Sequence, residues 1–313
     1  TGFDFAAAAG ILDVVAAEAE GYFDEMCLDV EVRSGLSPGN SASLAAGTTQ
    51  LAVIASFGEM VRQNIQGGTD LMAFAQLGHT SISELVVPAG TIESLSDLQG
   101  RTIGIKGDVP SPVQAMLAAG GAPRGTFEEL LLDGFDPVAH LALGIDALPV
   151  YKSNEPASLD DAGIEYVEFD PLDYDIPASF AVYINSRENY EKWPTVIEDF
   201  VRAGLRGYQF AAENPEAAVA HAFELINLAG NQFWLAEPHE LGRWQVEQAM
   251  VESTTPEGFA IGQLNTPRLG EEIQMLVDLG QFETLPDWES MLDDSVVPKL
   301  YDDNGELVWV PMN

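Results

Sequence analysis

Short apolar runs alternate with stretches of helical period through the first half of the chain, and this alternation restricts the fold more than any other feature. Phe3–Ala7 reads as a strand and Ile11–Phe23 as a helix, with apolar residues at Ile11, Val14, Val15 and Ala19. Leu28–Val32 alternates apolar and acidic residues in strand fashion. A polar turn at Ser34–Ser41 opens a helix through Ala46-Gly47, and Leu51–Ala55 reads as a buried strand. Repeated βαβ steps imply an α/β fold with a parallel sheet covered by helices. Leu85–Pro88 is a further strand, and a new βαβ series starts at Leu95–Ile105 and runs to Glu168–Asp170. Phe180–Ile184 then supplies a strand that can return to the first series. Two crossovers follow, near 88–92 and 176–180. Lobe I is expected to be discontinuous, at 1–90 and 180–313, with lobe II inserted at 91–179. From Pro194 onward the pattern is nearly all helical: Ile197, Phe200, Val201, Leu205 and Tyr208 share one face. Asn214-Pro215 and Thr266-Pro267 read as helix starts, Gly280 as a stop, and Asp303-Asn304-Gly305 as a hairpin turn.

The chain has 313 residues, beyond the size at which one core usually stops growing, so two lobes are the expected solution. Its charge narrows the partners. Thirteen Lys and Arg face 50 Asp and Glu, a formal net charge of −37. Nucleic-acid binding needs cations to displace counterions, so this balance argues against it. The acids are spread along the whole chain, which reads as a surface adapted to a salty medium rather than a docking site for one cationic partner. Cys27 is the single cysteine, so no internal disulfide can form. No run of 18 apolar residues occurs. Residue 1 is Thr, and the expectation is that an upstream signal segment is absent here and that the protein works outside the cytoplasm, as a monomer.

Enzyme signatures are missing from the sequence. There is no Walker loop, dinucleotide glycine fingerprint or G-x-S-x-G elbow. His239-Glu240 begins a zinc-like pattern, but no second histidine follows at the required spacing. His79, His140, His221 and His239 are scattered, and each reads more readily as a packing or surface residue than as a metal ligand. No catalytic residue, metal or cofactor is expected.

Binding residues are easier to nominate. Asp146–Pro156 runs from an apolar strand through Tyr151 into a polar turn closed by proline. It delivers Tyr151, Ser153, Asn154 and Glu155 to one rim, where an aromatic face beside an amide and a carboxylate suits a small, flat, hydrogen-bonding ligand. In open α/β sheets ligands lie beyond the carboxyl ends of strands, near helix N-termini. That rule selects 9–13, 37–41, 56–59, 78–80, 106–111, 133–136 and 151–155. The candidate ligand residues are Asp13, Ser37, Asn40, Ser56, Phe57, Glu59, His79, Lys106, Asp108, Ser111, Tyr151, Asn154 and Glu155. Capping explains any one serine equally well, and Tyr151 can pack as readily as stack. Lys106 and Lys152 are two of only four lysines. They can neutralise an anion or simply pair with a neighbouring carboxylate. Asp13, Glu59, Asp108 and Glu155 favour a neutral or cationic ligand bearing N–H donors.

Several segments together resemble the two-lobed solute-binding proteins that include thiamine-pyrimidine-precursor, riboflavin, taurine and alkanesulfonate binders. They are 17–23 (AEAEGYF), 28–32 (LDVEV), Leu44–Gly47 followed by Gln50–Val53, 95–104 (LSDLQGRTIG), and Arg202–Tyr208 with Asn214–Ala218. The likeness covers about residues 1–220. The turn Tyr151–Pro156 is similar to the Asn-Glu-Pro turn of the pyrimidine-precursor branch. This resemblance implies a type II periplasmic-binding-protein fold, with three-layer α/β/α lobes joined by two crossovers and a ligand in the interlobe cleft. It further implies a non-enzymatic role in an ABC importer, with a membrane permease as partner and a small heterocycle as ligand. An organosulfonate or other small anion is the alternative, and a pyrimidine-precursor synthesis enzyme on the same fold is a further one. Three departures stand out. Cys27 takes the place of a usual glycine, Ala9–Asp13 replaces a Trp-Thr-Pro-Asn-type loop, and the cysteine-rich run of the enzymes is missing.

Overall fold

The computed structural model describes residues 1–230 and 236–310. The chain forms two compact units. The first comprises Thr1–His79, Ser179–Gly270 and Leu285–Asn313, and the second Thr80–Ala178 and Glu271–Thr284. Residues 80–90 and 271–284 therefore belong with the second unit, whereas the sequence reading placed them in the first. The reason for 80–90 is that their strand finds its hydrogen-bonding neighbours in the second unit.

The first unit opens with α1 (Leu12–Ala19), α2 (Tyr22–Glu25) and α3 (Ser37–Ala45), then β1 (Ala52–Ile54), α4 (Phe57–Gly67) and β2 (Leu71–Gly78). In the second unit come β3 (Ser83–Pro88), β4 (Thr102–Ile105), α5 (Ser111–Ala119), β5 (Glu128–Leu131), α6 (Pro137–Leu141), β6 (Leu148–Tyr151), α7 (Glu155–Asp161) and β7 (Tyr166–Phe169). The chain then returns through β8 (Phe180–Ser186), α8 (Arg187–Lys192), α9 (Pro194–Glu213), α10 (Pro215–Ala229) and α11 (Glu237–Thr254), and α12 (Thr266–Asp278) starts in the first unit and ends in the second.

The expected parallel sheet is found only in part. In the first unit β8 lies between β1 and β2 and is antiparallel to both. In the second, β3 lies between β6 and β7 and is antiparallel to both. Parallel pairing holds for β4 with β5. The exceptions share a cause: β3 and β8 are the first strands after the chain passes from one unit to the other, and each enters its sheet against the direction of its neighbours. Burial follows the pleat. Leu85 and Val87 of β3 join Val113, Met116 and Leu117 of α5 on one face, while Val86 joins Leu148, Val150 and Leu159 on the other.

Two expected strands are not strands. Phe3–Ala7 and Leu28–Val32 lie outside every ladder. Period-2 alternation specifies an extended backbone but not a partner. Beside the first segment, backbone N–H groups are taken by side chains: Ala7 donates to Glu240 Oε2 and Ala9 to Glu247 Oε2, both at 2.7 Å. Glu240 and Glu247 sit seven residues apart on one face of α11, and both are buried, as is Arg243 between them. Arg243 donates to Glu240 at 3.2 Å.

The helical expectations hold in more detail. All five apolar residues named on α9 are buried, and Phe200 stacks on Phe23 at 4.9 Å. Gly207 of α9 faces the Asp13 carbonyl oxygen of α1 so closely that any Cβ would collide with it. A larger residue there would push α1 away. At α12 the cap is Asn265, whose side chain accepts from Arg268 N, rather than Thr266, whose hydroxyl donates to Asp294. Tyr301 pairs with Leu307 across the expected turn, where Gly305 has φ +79°.

Candidate functional site

In the first unit the candidate residues divide into those with completed hydrogen bonds and those without. Ser37 receives Ala55 N at 3.1 Å and donates to the Gly2 carbonyl. Asn40 Nδ2 donates to the carbonyls of Thr1 and Val53, at 2.6 and 2.9 Å. Ser56 caps α4 by accepting Glu59 N at 3.1 Å. Phe57 is fully buried, its N–H on Ser179 Oγ and its ring edge-on to Trp288. Glu59 is half-buried, and that burial raises its pKa against the pull of Arg62. These five read as framework. Asn40 also borders a groove of about 700 Å³ lined by Gly10, Leu28, Val53 and Phe200, beside the unpaired 28–32 segment.

Asp13 and His79 differ from these. Asp13 is 1% exposed, and neither carboxylate oxygen has a hydrogen-bond partner. Burial pushes its pKa up to about 7. The N–H groups of Asp13, Gly10 and Val14 pull the other way, favouring the anion. Tyr208, on the facing α9, has a buried hydroxyl that is also without a partner. Its pKa is raised by burial and then by Glu252 and Asp13. His79 follows the end of β2, where Gly78 is squeezed against the Phe180 ring. Burial lowers the His79 pKa to about 4, so the ring is neutral. Its Nε2 and the Oε1 of Gln76 are buried and unpartnered. Sequence reading missed Gln76 and Tyr208. Both sit on positions that core patterning explains, and only the missing hydrogen bonds single them out.

In the second unit the candidates are mostly satisfied by one another. Glu155, 2% exposed, begins α7. Its Oε1 receives Lys106 Nζ and its Oε2 receives Tyr151 N at 2.9 Å. Both carboxylate oxygens are thus held by protein. The Lys106 ammonium also lies over the Phe135 ring, 5.9 Å from its centroid. Asp108 pairs with Arg124 at 2.8 Å, and Ser111 exchanges hydrogen bonds with Gln281. Asn154 holds the turn through its own N–H on the Tyr151 carbonyl. Tyr151 is 45% exposed. Lys152 pairs with Asp170 at 2.7 Å. Directly opposite Val150, on β3, lies Glu84, 4% exposed. Burial pushes its pKa up to about 8, helped by Glu168, Asp170 and Glu155 and opposed by Lys152. Among the described residues no group of three or more His, Cys, Asp or Glu could hold a metal ion, and no helix is long and apolar enough to cross a membrane.

This architecture is the periplasmic-binding-protein fold. The chain superposes on the periplasmic aliphatic sulphonate binding protein SsuA from Escherichia coli with a TM-score of 0.68 and 14% identity, over 96% of this chain and 89% of that one. Residues 9–218 match the family described as NMT1/THI5 like, and the chain belongs to that family. It is 30% identical over 208 residues to the formylaminopyrimidine-binding protein of Halalkalibacterium halodurans, an alignment covering 64% of this chain and 62% of that protein. To the riboflavin-binding protein RibY of Chloroflexus aurantiacus it is 32% identical over 143 residues, 43% of this chain and 39% of that protein. The chain thus spans less than two thirds of the length of either curated relative.

Proposed function

We propose that this chain is the solute-binding protein of an ABC importer, acting outside the cytoplasm as a monomer, with its two units serving as lobes. It would capture a small heterocycle and hand it to a membrane permease without making or breaking a bond. The observation that carries this reading is a group of buried, unpaired polar atoms in the first unit: both Asp13 oxygens, Gln76 Oε1, His79 Nε2 and the Tyr208 hydroxyl, with Thr49 Oγ1 and Asn185 Oδ1 also unpartnered there. Each unmade hydrogen bond costs about 1–3 kcal/mol, a cost a bound ligand can remove. Membership of the NMT1/THI5-like family and two relatives named as binders of heterocycles support the same class of ligand.

An anionic ligand is less well served. Lys106 and Lys152 each already face a carboxylate, and Asp13 and Glu84 add buried acid groups. Tyr151, partly exposed at the end of β6, is the residue we assign to stacking on the heterocycle. Calorimetric titration with a formylaminopyrimidine, riboflavin and taurine, followed by mass spectrometry of each mixture, tests the proposal. Binding of a heterocycle that is recovered unchanged is expected. Consumption of the probe, or binding of taurine alone, would overturn it.

A further inference from the structure

The Gln76–His79 pair fixes its own hydrogen-bonding polarity. Gln76 Nε2 lies 3.3 Å from the Gly78 carbonyl oxygen and 2.7 Å from His79 Nδ1. A carbonyl oxygen only accepts, so the amide must turn its nitrogen, not its oxygen, to this side. That nitrogen only donates, so His79 Nδ1 is the acceptor. In a neutral imidazole the hydrogen then resides on Nε2. The low pKa given by burial keeps the ring neutral through the physiological range. The backbone N–H of His79 donates to Thr254 Oγ1 at 3.3 Å, and the ring stands perpendicular to Phe259 with centroids 6.4 Å apart. Gln76 N–H is anchored on the Gly262 carbonyl at 3.0 Å. These backbone bonds anchor the two residues, the side chains orient each other through the Gln76 Nε2–His79 Nδ1 bond, and one acceptor, Gln76 Oε1, and one donor, His79 Nε2–H, stay buried without partners.

We propose that Gln76 and His79 are the specificity-determining pair of the first unit, selecting an uncharged heteroaromatic ring that offers an acceptor to His79 Nε2–H and an N–H to Gln76 Oε1. The proposal rests on the solute-binding reading and names the ligand chemistry of that function. Aminopyrimidines and the uracil-like edge of a flavin carry both groups. A sulfonate carries acceptors only and would set its oxygens against Gln76 Oε1, so an alkanesulfonate is selected against. Because His79 is neutral, recognition by this pair is independent of pH across the window in which an ordinary histidine titrates.

Two measurements on the whole chain test the pair. In nitrogen-15 spectra of histidine-labelled protein, His79 should show the Nε2–H tautomer and no titration near neutral pH. An Nδ1–H tautomer, or titration above about pH 6, overturns the proposal whether or not a ligand has been found. In calorimetric titrations with a formylaminopyrimidine and riboflavin, His79→Phe keeps a flat ring but removes the donor. It should weaken binding of the recognised probe about tenfold or more. His79→Gln sets an amide N–H near the former Nε2 and should restore most of the affinity, a rescue that a purely structural role would not give. Full affinity in His79→Phe overturns the proposal, as does tighter binding of taurine than of either heterocycle. If wild type binds none of the three probes, the solute-binding reading fails for those ligands, and the spectra still decide the polarity of the pair.

Discussion

The two units treat buried polar groups in opposite ways. In the second, the groups around the Tyr151–Glu155 turn are closed on one another: Lys106 with Glu155 and Lys152 with Asp170. In the first, Glu240 and Glu247 are engaged by the backbone of the loop before α1, yet Asp13, Gln76, His79 and Tyr208 keep buried polar atoms unmatched. The second unit is not wholly satisfied, since Thr80 Oγ1 and His140 Nδ1 are also unpartnered. The contrast lies at the candidate site itself. A turn whose charges are already paired supplies shape, and a cluster with unused donors and acceptors supplies recognition.

The strongest way to break this contrast is to open the paired side. Lys106→Met strands the Glu155 carboxylate in an apolar setting. It should destabilise by about 3 kcal/mol, since removing one partner leaves a buried charge unmatched. Denaturant unfolding of Lys106→Met beside Lys106→Met/Glu155→Gln measures this, and the double variant should recover part of the loss. If the single variant is unaffected, the second unit is not held by that pair. Glu247→Ala comes next. It removes the acceptor of Ala9 N and should cost about 2 kcal/mol, read in the same experiment.

Asp13 sharpens the comparison through pH. Its carboxyl has an ordinary pKa of 3.8 and is raised to about 7 in the folded chain, so the native state holds the proton more tightly than the unfolded state. The resulting stability is fully present below 3.8 and is lost as pH climbs toward about 7, at ~1.4 kcal/mol per pH unit. Glu84 acts in the same direction between 4.5 and about 8. Asp13→Asn should remove the first contribution and leave the second, which melting curves from pH 4 to 8 will separate. An unchanged slope in Asp13→Asn would show that its carboxylate is matched after all. The smallest effect is general. With a net charge of −37 the folded chain repels itself, and molar sodium chloride should raise Tm by a few degrees, equivalent to about 1 kcal/mol. A flat or falling Tm would remove the saline reading of the charge.

Local pattern carried much of the fold. The α9 face, the strands β3 and β8, and the stop at Gly280 could all be read because each rests on a period or a cap formed by neighbouring residues. Strand direction could not be read. Whether β8 enters between β1 and β2 against their direction depends on where the chain crosses, not on the residues of β8. The same limit hid the acceptors of Ala7 and Ala9, which lie more than 230 residues away. At the candidate site, the sequence pointed to loops by topology and to Asp13 and His79 by residue type. It gave no means of separating them from Ser37, Asn40 or Ser56, because satisfaction is a property of neighbours. Gln76 was passed over as a strand residue for the same reason.

The link between α11 and the opening loop also bears on the order in which the molecule is made. The first unit is assembled from three stretches of chain, with the entire 80–178 block emerging between the first two. The N–H groups of Ala7 and Ala9 leave the ribosome before the 80–178 block, but their acceptors on Glu240 and Glu247 are made more than 230 residues later. At about 5–20 residues per second the opening loop waits on the order of ten seconds or more for its anchors. The inserted 80–178 block can collapse while its host is unfinished, and the loop beside Asp13 is among the last parts of the protein to take its final form.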